Sequence, residues 1–294
     1  MDDHRHGIGD DGLPRFAETI GKLAQMIRRN LWSKLILLVV AAFYVLPMIA
    51  MARFSFQRVP VIKLGWSTLG KNWTAESLMT AITSDRFLEA AWLSVRLGVL
   101  SVVLGLVILV PTTVYVHVAK RNARPYVEFL SMLPYVVPPI ALVVGISGAM
   151  KVAGTWFLAS PFSLVPFYVV ISLPFTFRAL DVSLGATDLK TLVEASRSLG
   201  ANWTRTTRSV ILPNLKVGII NASFLCFATV LGEYTIASLL LKFTLPAYLA
   251  ESQGSNPQGS FSVGLLLLVV SSLLFGFMNR LSKRKGQVLT GLAL

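Results

Sequence analysis

Long apolar blocks separated by short polar segments dominate the pattern of hydrophobic and polar positions along this chain. The blocks cover residues 32–50, 91–119, 127–150, 162–180, 215–241 and 261–279. As a helix rising about 1.5 Å per residue, each block is long enough to cross a hydrocarbon layer of about 30 Å. The pattern therefore predicts an all-α integral membrane protein with six transmembrane helices.

Composition supports a membrane environment. Only 14% of the residues are charged and 54% are hydrophobic, with a mean hydropathy of +0.67, whereas soluble domains carry about 25% charged residues. The single cysteine, Cys226, lies inside an apolar block and is expected to be a small buried side chain. One cysteine excludes an intramolecular disulfide, and we predict no metal site and no catalytic residue.

The net charge of +13 reflects the location of the lysines and arginines rather than a nucleic-acid surface. They concentrate before the first block, between the second and third, between the fourth and fifth, and after the sixth. Basic residues accumulate on the cytoplasmic side of membrane proteins. The distribution therefore predicts that both termini are cytoplasmic and that nucleic acid is not a partner.

The same pattern divides the chain into regions. Residues 1–31 form a polar cytoplasmic tail, and residues 32–86 contain the first transmembrane helix and a periplasmic loop. Residues 87–282 form the core, with a long cytoplasmic connection at 181–214, and residues 283–294 form a short C-terminal tail. Small residues three or four apart on the second block predict close helix packing, at Ser94, Gly98, Ser101 and Gly105.

Prolines interrupt the third and fourth blocks. A proline inside a helix frees a carbonyl that lipid cannot satisfy, whereas neighbouring protein or a water-lined cavity can. Two interpretations stay open: ordinary kinks, or bent helices along a translocation pathway. Pro138 and Pro139 are the pathway candidates, and Pro166 and Pro174 leave the fourth block open to bending.

The connection at 181–214 predicts a helix–turn–helix on the cytoplasmic surface. Thr187 or Asp188 is suited to cap the first helix, and Gly200 to stop it in a left-handed conformation. At helical spacing, an apolar face forms from Leu189, Leu192, Val193, Ser196 and Leu199. A second short helix is expected to begin at Asn202 and to end by Pro213.

This connection resembles the EAA loop of the permease subunits of binding-protein-dependent ABC importers. The loop's pattern is E-A-A, three residues, G, nine residues, I, one residue, L-P. Here it is matched by Glu194, Ala195, Ser196, Gly200, Val210, Leu212 and Pro213. Serine replaces the third-position alanine and valine replaces isoleucine. The resemblance extends from about residue 87 to residue 280, and it implies the MetI-like (type I importer) permease fold.

The resemblance also implies a function and a set of partners. The loop would be a coupling helix, with Glu194 and Ala195 contacting a cytoplasmic ATPase and Gly200 making the turn. The implied partners are two ABC ATPase subunits, a second identical or related permease subunit, an extracytoplasmic solute-binding protein and the lipid bilayer. ATP and Mg would bind to the partner ATPase, with no cofactor on this chain. The implied location is the bacterial inner membrane.

The resemblance suggests a substrate as well. Ser198-Leu199-Gly200-Ala201 resembles the polyamine, ferric iron, thiamine, phosphonate and sulfate branches rather than the sugar branch. The run from Leu133 to Gly145 and the segment Gly232-Glu233-Tyr234 resemble spermidine and putrescine permeases. Polyamine is therefore the first substrate hypothesis, with the other solutes as alternatives. Glu233 and Tyr234 are candidate pathway residues, although the favoured interpretation of Glu233 is structural, either paired with a neighbour or near the periplasmic boundary.

Other functional classes fit less well. Gly145-Ile146-Ser147-Gly148 matches a rhomboid-protease pattern, but all three histidines precede Ser147, so no histidine base follows it. The chain also has no G-x-x-x-x-G-K-[ST] loop, so it is predicted not to be an enzyme that hydrolyses ATP. A channel or secondary transporter stays open as an alternative, with Glu233 as its candidate ionisable residue inside a span.

Overall fold

A computed structural model describes residues 12–58, 65, 72–150 and 159–283 of the chain. It divides into two compact units, Met1–Phe54 and Ser55–Leu294. The first part of the predicted N-terminal tail, residues 1–11, and most of the predicted C-terminal tail, residues 284–294, lie outside the described residues.

The described residues are almost entirely helical. The first unit contains most of helix α1, Gly12–Phe56, whose apolar part at Trp32–Phe56 is long enough to span a membrane. In the second unit, the helices before the connection at 181–214 are α2 Glu76–Ile82, α3 Asp85–Val118, α4 Arg124–Val136, α5 Pro139–Met150 and α6 Leu164–Gly185. From the connection onward they are α7 Leu189–Ser198, α8 Trp203–Gly232, α9 Thr235–Leu239, α10 Leu245–Ser252 and α11 Pro257–Lys283.

The predicted membrane architecture is confirmed. Five helices are long and apolar enough to cross a bilayer, and a sixth span results if the bent pair α4–α5 is counted as one. The spans lie at Trp32–Phe56, Asp85–Val118, Pro161–Gly185, Trp203–Gly232 and Pro257–Gly276. The all-α prediction and the six-span expectation therefore agree with the structure.

The third span is not the single helix predicted at 127–150. Helices α4 and α5 meet at an angle of 105°. The chain leaves the helix at Val137, which is extended with ψ 125°, and α5 begins at Pro139. A proline disfavours the helical conformation of the residue before it, and two consecutive prolines impose this on Val137 and Pro138 in turn. The result is a broken span or a re-entrant loop.

The fourth span is an unbroken helix, and the fifth span corrects two predicted bounds. Helix α6 continues through both Pro166 and Pro174. The expectation that a short helix ends by Pro213 is wrong, because α8 runs through it and ends at Gly232 rather than at residue 241. A π-helical segment at Thr207–Ile211 precedes Pro213. The Asn214 side-chain amide donates a hydrogen bond to the Val210 carbonyl (2.7 Å) at the end of this segment.

Helices α3, α6 and α8 pack against one another and form the centre of the second unit. The predicted packing stripe on α3 is buried at all four of its small residues. At Gly98 a Cβ atom would lie 2.6 Å from the Phe227 ring of α8, so glycine permits this close approach. Cys226 is buried as expected, and its thiol donates a hydrogen bond to Ser172 Oγ (3.3 Å) across the α8–α6 contact.

Two apolar clusters lie along this bundle. One includes Leu97, Phe167, Tyr168, Ile236 and Val143, and it joins α3, α5, α6, α8 and α9. The other lies at the end of the bundle that carries the connection at 181–214, and its members include Leu109, Phe177, Leu189, Val193 and Leu215. The second cluster holds helix α7 against the transmembrane helices.

Candidate functional site

Helix α7 begins at a well-formed cap. The carboxylate of Asp188 accepts hydrogen bonds from the Thr191 backbone N–H (3.5 Å) and hydroxyl (2.6 Å). These hydrogen bonds hold the pKa of Asp188 below its ordinary value. Of the two residues expected to cap the helix, Asp188 is the one that does so, and it fixes where α7 starts.

Gly200 ends the helix in the predicted left-handed conformation, with φ +83°. The Gly200 N–H bonds to the Arg197 carbonyl (2.9 Å), and the Ala201 N–H bonds to the Ser196 carbonyl (3.2 Å). This pair of reversed hydrogen bonds is the Schellman arrangement, which satisfies the last helical carbonyls. The turn therefore depends on a conformation that glycine adopts without a Cβ penalty.

The two faces of α7 differ sharply. Leu189 and Val193 are each 2% exposed within the apolar cluster, and Ser196 is half-buried. The prediction that Leu192 and Leu199 share this buried face is wrong, since they are 40% and 88% exposed. The helix is short and only its first and fifth residues reach the bundle, so the flanking leucines remain outside. Their exposure adds apolar surface to the outward face.

The outward face of α7 combines small, acidic and apolar side chains. Its exposed residues are Thr191, Leu192, Glu194, Ala195, Ser198 and Leu199. Ser198 donates a hydrogen bond to the Glu194 carbonyl (3.0 Å), which keeps that hydroxyl close to its own helix. The Glu194 carboxylate lies 3.8 Å from Lys190 Nζ, a long surface ion pair. A shallow, partly apolar surface of this kind is available for contact with another protein.

Helix α8 starts directly after the turn and supports α7. The Asn202 side chain accepts a hydrogen bond from the Arg205 N–H (2.9 Å), which confirms the predicted start of the helix. The hydroxyls of Ser196 and Thr206 lie 3.1 Å apart, and the Arg197 guanidinium stacks 4.9 Å from the centre of the Trp203 ring. Leu212 and Pro213 belong to the continuous helix α8 and are exposed.

A buried ion pair lies just before α7. Asp181 on α6 is completely buried and accepts two hydrogen bonds of 2.7 Å from the Nε and a terminal nitrogen of Arg124 on α4. His117 Nε2, near the end of α3, lies 3.5 Å from Asp181 Oδ1. Sequence patterning did not identify this group of residues. The sequence features that could have indicated this ion pair are the isolated carboxylate of Asp181 at the end of one apolar block and Arg124 just before another.

The candidate pathway residues occupy different surroundings. Glu233 follows the last residue of α8 instead of lying within the fifth span, as the predicted bounds required. Its carboxylate accepts hydrogen bonds from the backbone N–H groups of Ile236 (2.9 Å) and Ala237 (3.3 Å), so it caps α9. Tyr234 is 46% exposed. Pro138 and Pro139 are exposed at the α4–α5 break, and α9 packs against α5.

Comparison with known proteins identifies the family. A family described as binding-protein-dependent transport system inner membrane component matches residues 101–287. The chain is 29% identical over 205 residues to a Haloferax volcanii protein named as a probable molybdenum ABC transporter permease protein. The match covers 66% of this chain and 76% of that protein. It is also 29% identical over 212 residues to the molybdenum transport system permease protein ModB of Mycobacterium tuberculosis, covering 65% and 78%.

A solved structure agrees on the fold. A chain from the crystal structure of a bacterial ABC transporter involved in the import of the acidic polysaccharide alginate superposes with a TM-score of 0.59. The match covers 90% of this chain and 97% of that chain, at 14% sequence identity. The resemblance inferred from the 194–213 motif is thereby confirmed at the level of the family. This chain belongs to the binding-protein-dependent transport system inner membrane components, the membrane-spanning permease subunits of ABC importers.

Proposed function

We propose that helix α7 is the surface through which this permease is coupled to a separate ATP-hydrolysing subunit. The observation that carries the proposal is the division of the helix into two faces. Leu189 and Val193 are buried in the bundle, whereas Glu194, Ala195 and Ser198 face outward. A small outward side chain such as Ala195 allows another protein to approach the helix backbone closely.

The connections of α7 suit it for transmitting force. Its N-terminal end follows α6, which Asp181 ties to Arg124 on α4, and its C-terminal end turns directly into α8. A displacement of α7 would therefore act on three membrane helices as a group. Rigid-body movement of packed helices is a common form of switching between two states. ATP-driven closure of the docked subunits would move α7 and so reorient the transmembrane bundle.

The complete importer follows from this proposal. Two ATPase subunits would bind ATP and Mg, and this chain would carry no cofactor. It would pair with a second permease, identical or related, to form the pathway in the bacterial inner membrane, and an extracytoplasmic binding protein would deliver the solute. Family membership supports an ATPase and a binding protein as partners. The copy numbers are part of the proposal.

Polyamine is the first substrate proposal, and a molybdenum oxyanion is the second. The first rests on the sequence resemblance of the segments at 133–145 and 232–234. Its physical support is weaker than the sequence suggested, because the Glu233 carboxylate is engaged in capping α9. The second is favoured by the relatives named as molybdenum permeases. Ferric iron, thiamine, phosphonate and sugar are further alternatives that the same machinery could carry.

The coupling proposal is tested by replacing Glu194 with Ala in the complete importer and measuring solute uptake together with ATP hydrolysis. We expect uptake and the hydrolysis linked to it to fall together, while the permease still inserts. Glu76→Ala is the matched control, because Glu76 forms an equally exposed ion pair with Arg58 outside the connection. If uptake by Glu194→Ala depends on an ion gradient and does not depend on ATP, the protein is instead a secondary transporter.

The substrate is tested by competition. Vesicles containing the importer and its own binding protein are loaded with ATP, and uptake of labelled putrescine and of labelled molybdate is measured in parallel. Uptake of putrescine that unlabelled spermidine abolishes would support the polyamine proposal. Uptake of molybdate alone would contradict that proposal and support the oxyanion, with the coupling proposal unaffected by either result.

A further inference from the structure

A basic cavity of about 600 Å³ lies at the end of α3, beside the start of α7. Three of its lining residues are cationic, namely Lys120, Arg121 and Lys190. The rest of its lining consists of His117, Val118, Ala119, Asn122, Ala123 and Tyr126. The proposed function assigns no role to this cavity, which lies beside the exposed face of α7 and not on it.

Nearby carboxylates already have partners. Asp181 is bound by Arg124, and Glu128 is bound by Arg178 at 2.7 Å. Asp188 is engaged by Thr191 in the cap of α7, although its charge still acts on Arg121 and Lys190. Lys190 has a long ion pair with Glu194. Among the described residues, neither Lys120 nor Arg121 forms an ion pair with a carboxylate.

An exposed apolar stripe leads away from the cavity along α4. Tyr126, at the cavity, is 72% exposed, and Phe129, Leu130 and Leu133 follow at helical spacing with 64%, 59% and 38% exposure. These positions lie on one side of the helix. Tyrosine is enriched at the level where hydrocarbon meets lipid headgroups. The basic cavity and the apolar stripe beside it are therefore complementary to an anionic lipid headgroup and its acyl chain, respectively.

We propose that this cavity binds the phosphate-bearing headgroup of an anionic phospholipid of the cytoplasmic leaflet, with an acyl chain along the stripe on α4. Lys120 and Arg121 would contact the phosphate, Asn122 would donate a hydrogen bond, and Lys190 would contact the lipid from α7. Basic pockets at the cytoplasmic ends of membrane helices attract anionic headgroups. Because Lys190 lies on α7, a bound lipid would brace that helix against α3.

The test uses the intact importer in nanodiscs of phosphatidylcholine with a minor fraction of phosphatidylglycerol. Retained phosphatidylglycerol is counted by native mass spectrometry after release from the discs. The variant Lys120→Gln, Arg121→Gln should retain phosphatidylglycerol roughly 25-fold more weakly, from about 5-fold for each cation near the membrane surface. The control Arg205→Gln, Arg208→Gln removes the same charge from exposed positions that do not line the cavity, and it should retain the lipid as the wild type does.

Three results would overturn the proposal. One is equal retention of phosphatidylglycerol by the cavity variant and the control variant. Another is displacement of the lipid by inorganic phosphate at millimolar concentration, which would identify a free anion as the ligand. A third is efficient cross-linking of Tyr126→Cys to another protein subunit of the importer, which would show that protein covers the stripe. None of these measurements depends on whether α7 docks an ATPase.

Discussion

The pairing of Arg124 with Asp181 predicts that removing its two members has unequal effects on stability. Asp181 is completely buried, whereas the Arg124 side chain is 38% exposed. Arg124→Met therefore leaves a carboxylate without its strongest partner inside the bundle, with only His117 nearby. Asp181→Asn leaves a guanidinium that can turn toward water, together with a neutral amide of nearly unchanged shape.

The expected losses in the free energy of unfolding follow from these surroundings. Breaking a buried ion pair so that one charge remains uncompensated costs about 3–5 kcal/mol, which we expect for Arg124→Met. Asp181→Asn weakens two charge-assisted hydrogen bonds and strands no buried charge, for a cost of about 1.5–3 kcal/mol. The double variant should be more stable than Arg124→Met alone, because it removes the stranded charge.

The assay is unfolding of the purified chain in mixed micelles with increasing dodecyl sulfate, followed by the loss of helical circular dichroism. From the most to the least stable, we expect the order wild type, Asp181→Asn, the double variant and Arg124→Met. If Asp181→Asn is as unstable as Arg124→Met, or if the double variant is no more stable than Arg124→Met, the buried charge of Asp181 does not control the stability of this end of the bundle.

Further predictions concern the turn, the helix packing and the cap of α7. Gly200→Val should destabilise the turn by about 1–2 kcal/mol, because its φ of +83° is left-handed. Gly185→Ala, where a Cβ atom meets nothing within 4 Å, should change the free energy of unfolding little. Gly98→Ala should cost about 1–3 kcal/mol by overpacking against the ring 2.6 Å away. The matched variant Gly105→Ala lies on the same helix where a Cβ atom meets open space, so it should not lower the free energy of unfolding in this way. Each glycine variant and its matched control are compared by the same micellar titration. Because the pKa of Asp188 is lowered in the folded protein, its cap contributes stability above the ordinary value of 3.8 and loses it as the pH falls through the lower folded value. The protection of the first amides of α7 against hydrogen exchange, taken relative to the intrinsic exchange rate at each pH, should therefore fall as the pH drops below 3.8 in the wild type, and Asp188→Asn should abolish this dependence.

Hydropathy and local capping signals predicted much of this fold because both act over short stretches of chain. The apolar runs located the membrane helices, since a span must satisfy its backbone hydrogen bonds internally. Asn202 and Gly200 were predictable because a cap or a left-handed stop depends on a few neighbouring residues. Periodicity alone predicts only that α7 has an exposed face. The family motif adds the expectation that the part of this face around Glu194 and Ala195 contacts an ATPase.

The effects of the prolines were not predictable from their positions. Pro174 and Pro213 lie within continuous helices, whereas the pair at 138–139 breaks one. The difference depends on whether the groups around a proline compensate for its missing N–H and for the carbonyl that it leaves without a partner. Such compensation involves three-dimensional contacts that a linear pattern does not contain.

The ion pair of Asp181 with Arg124 was missed for a related reason. The two residues are 57 positions apart, and only the packing of α4 against α6 brings them together. The role of Glu233 was likewise ambiguous in sequence. Its position after the end of α8 and its hydrogen bonds to the N–H groups of Ile236 and Ala237 favour the structural interpretation.

Coupling through α7 is tested most directly by placing a bulky side chain on its outward face. Ala195 is exposed on the outward face of α7, and Ala195→Trp should obstruct a docked subunit without touching the apolar cluster. Ala186→Trp makes the same substitution at an exposed position outside α7. The measurement is the amount of ATPase subunit that copurifies with the tagged permease. We predict loss of the ATPase from Ala195→Trp and normal recovery with Ala186→Trp, whereas full recovery with both variants would contradict docking at α7.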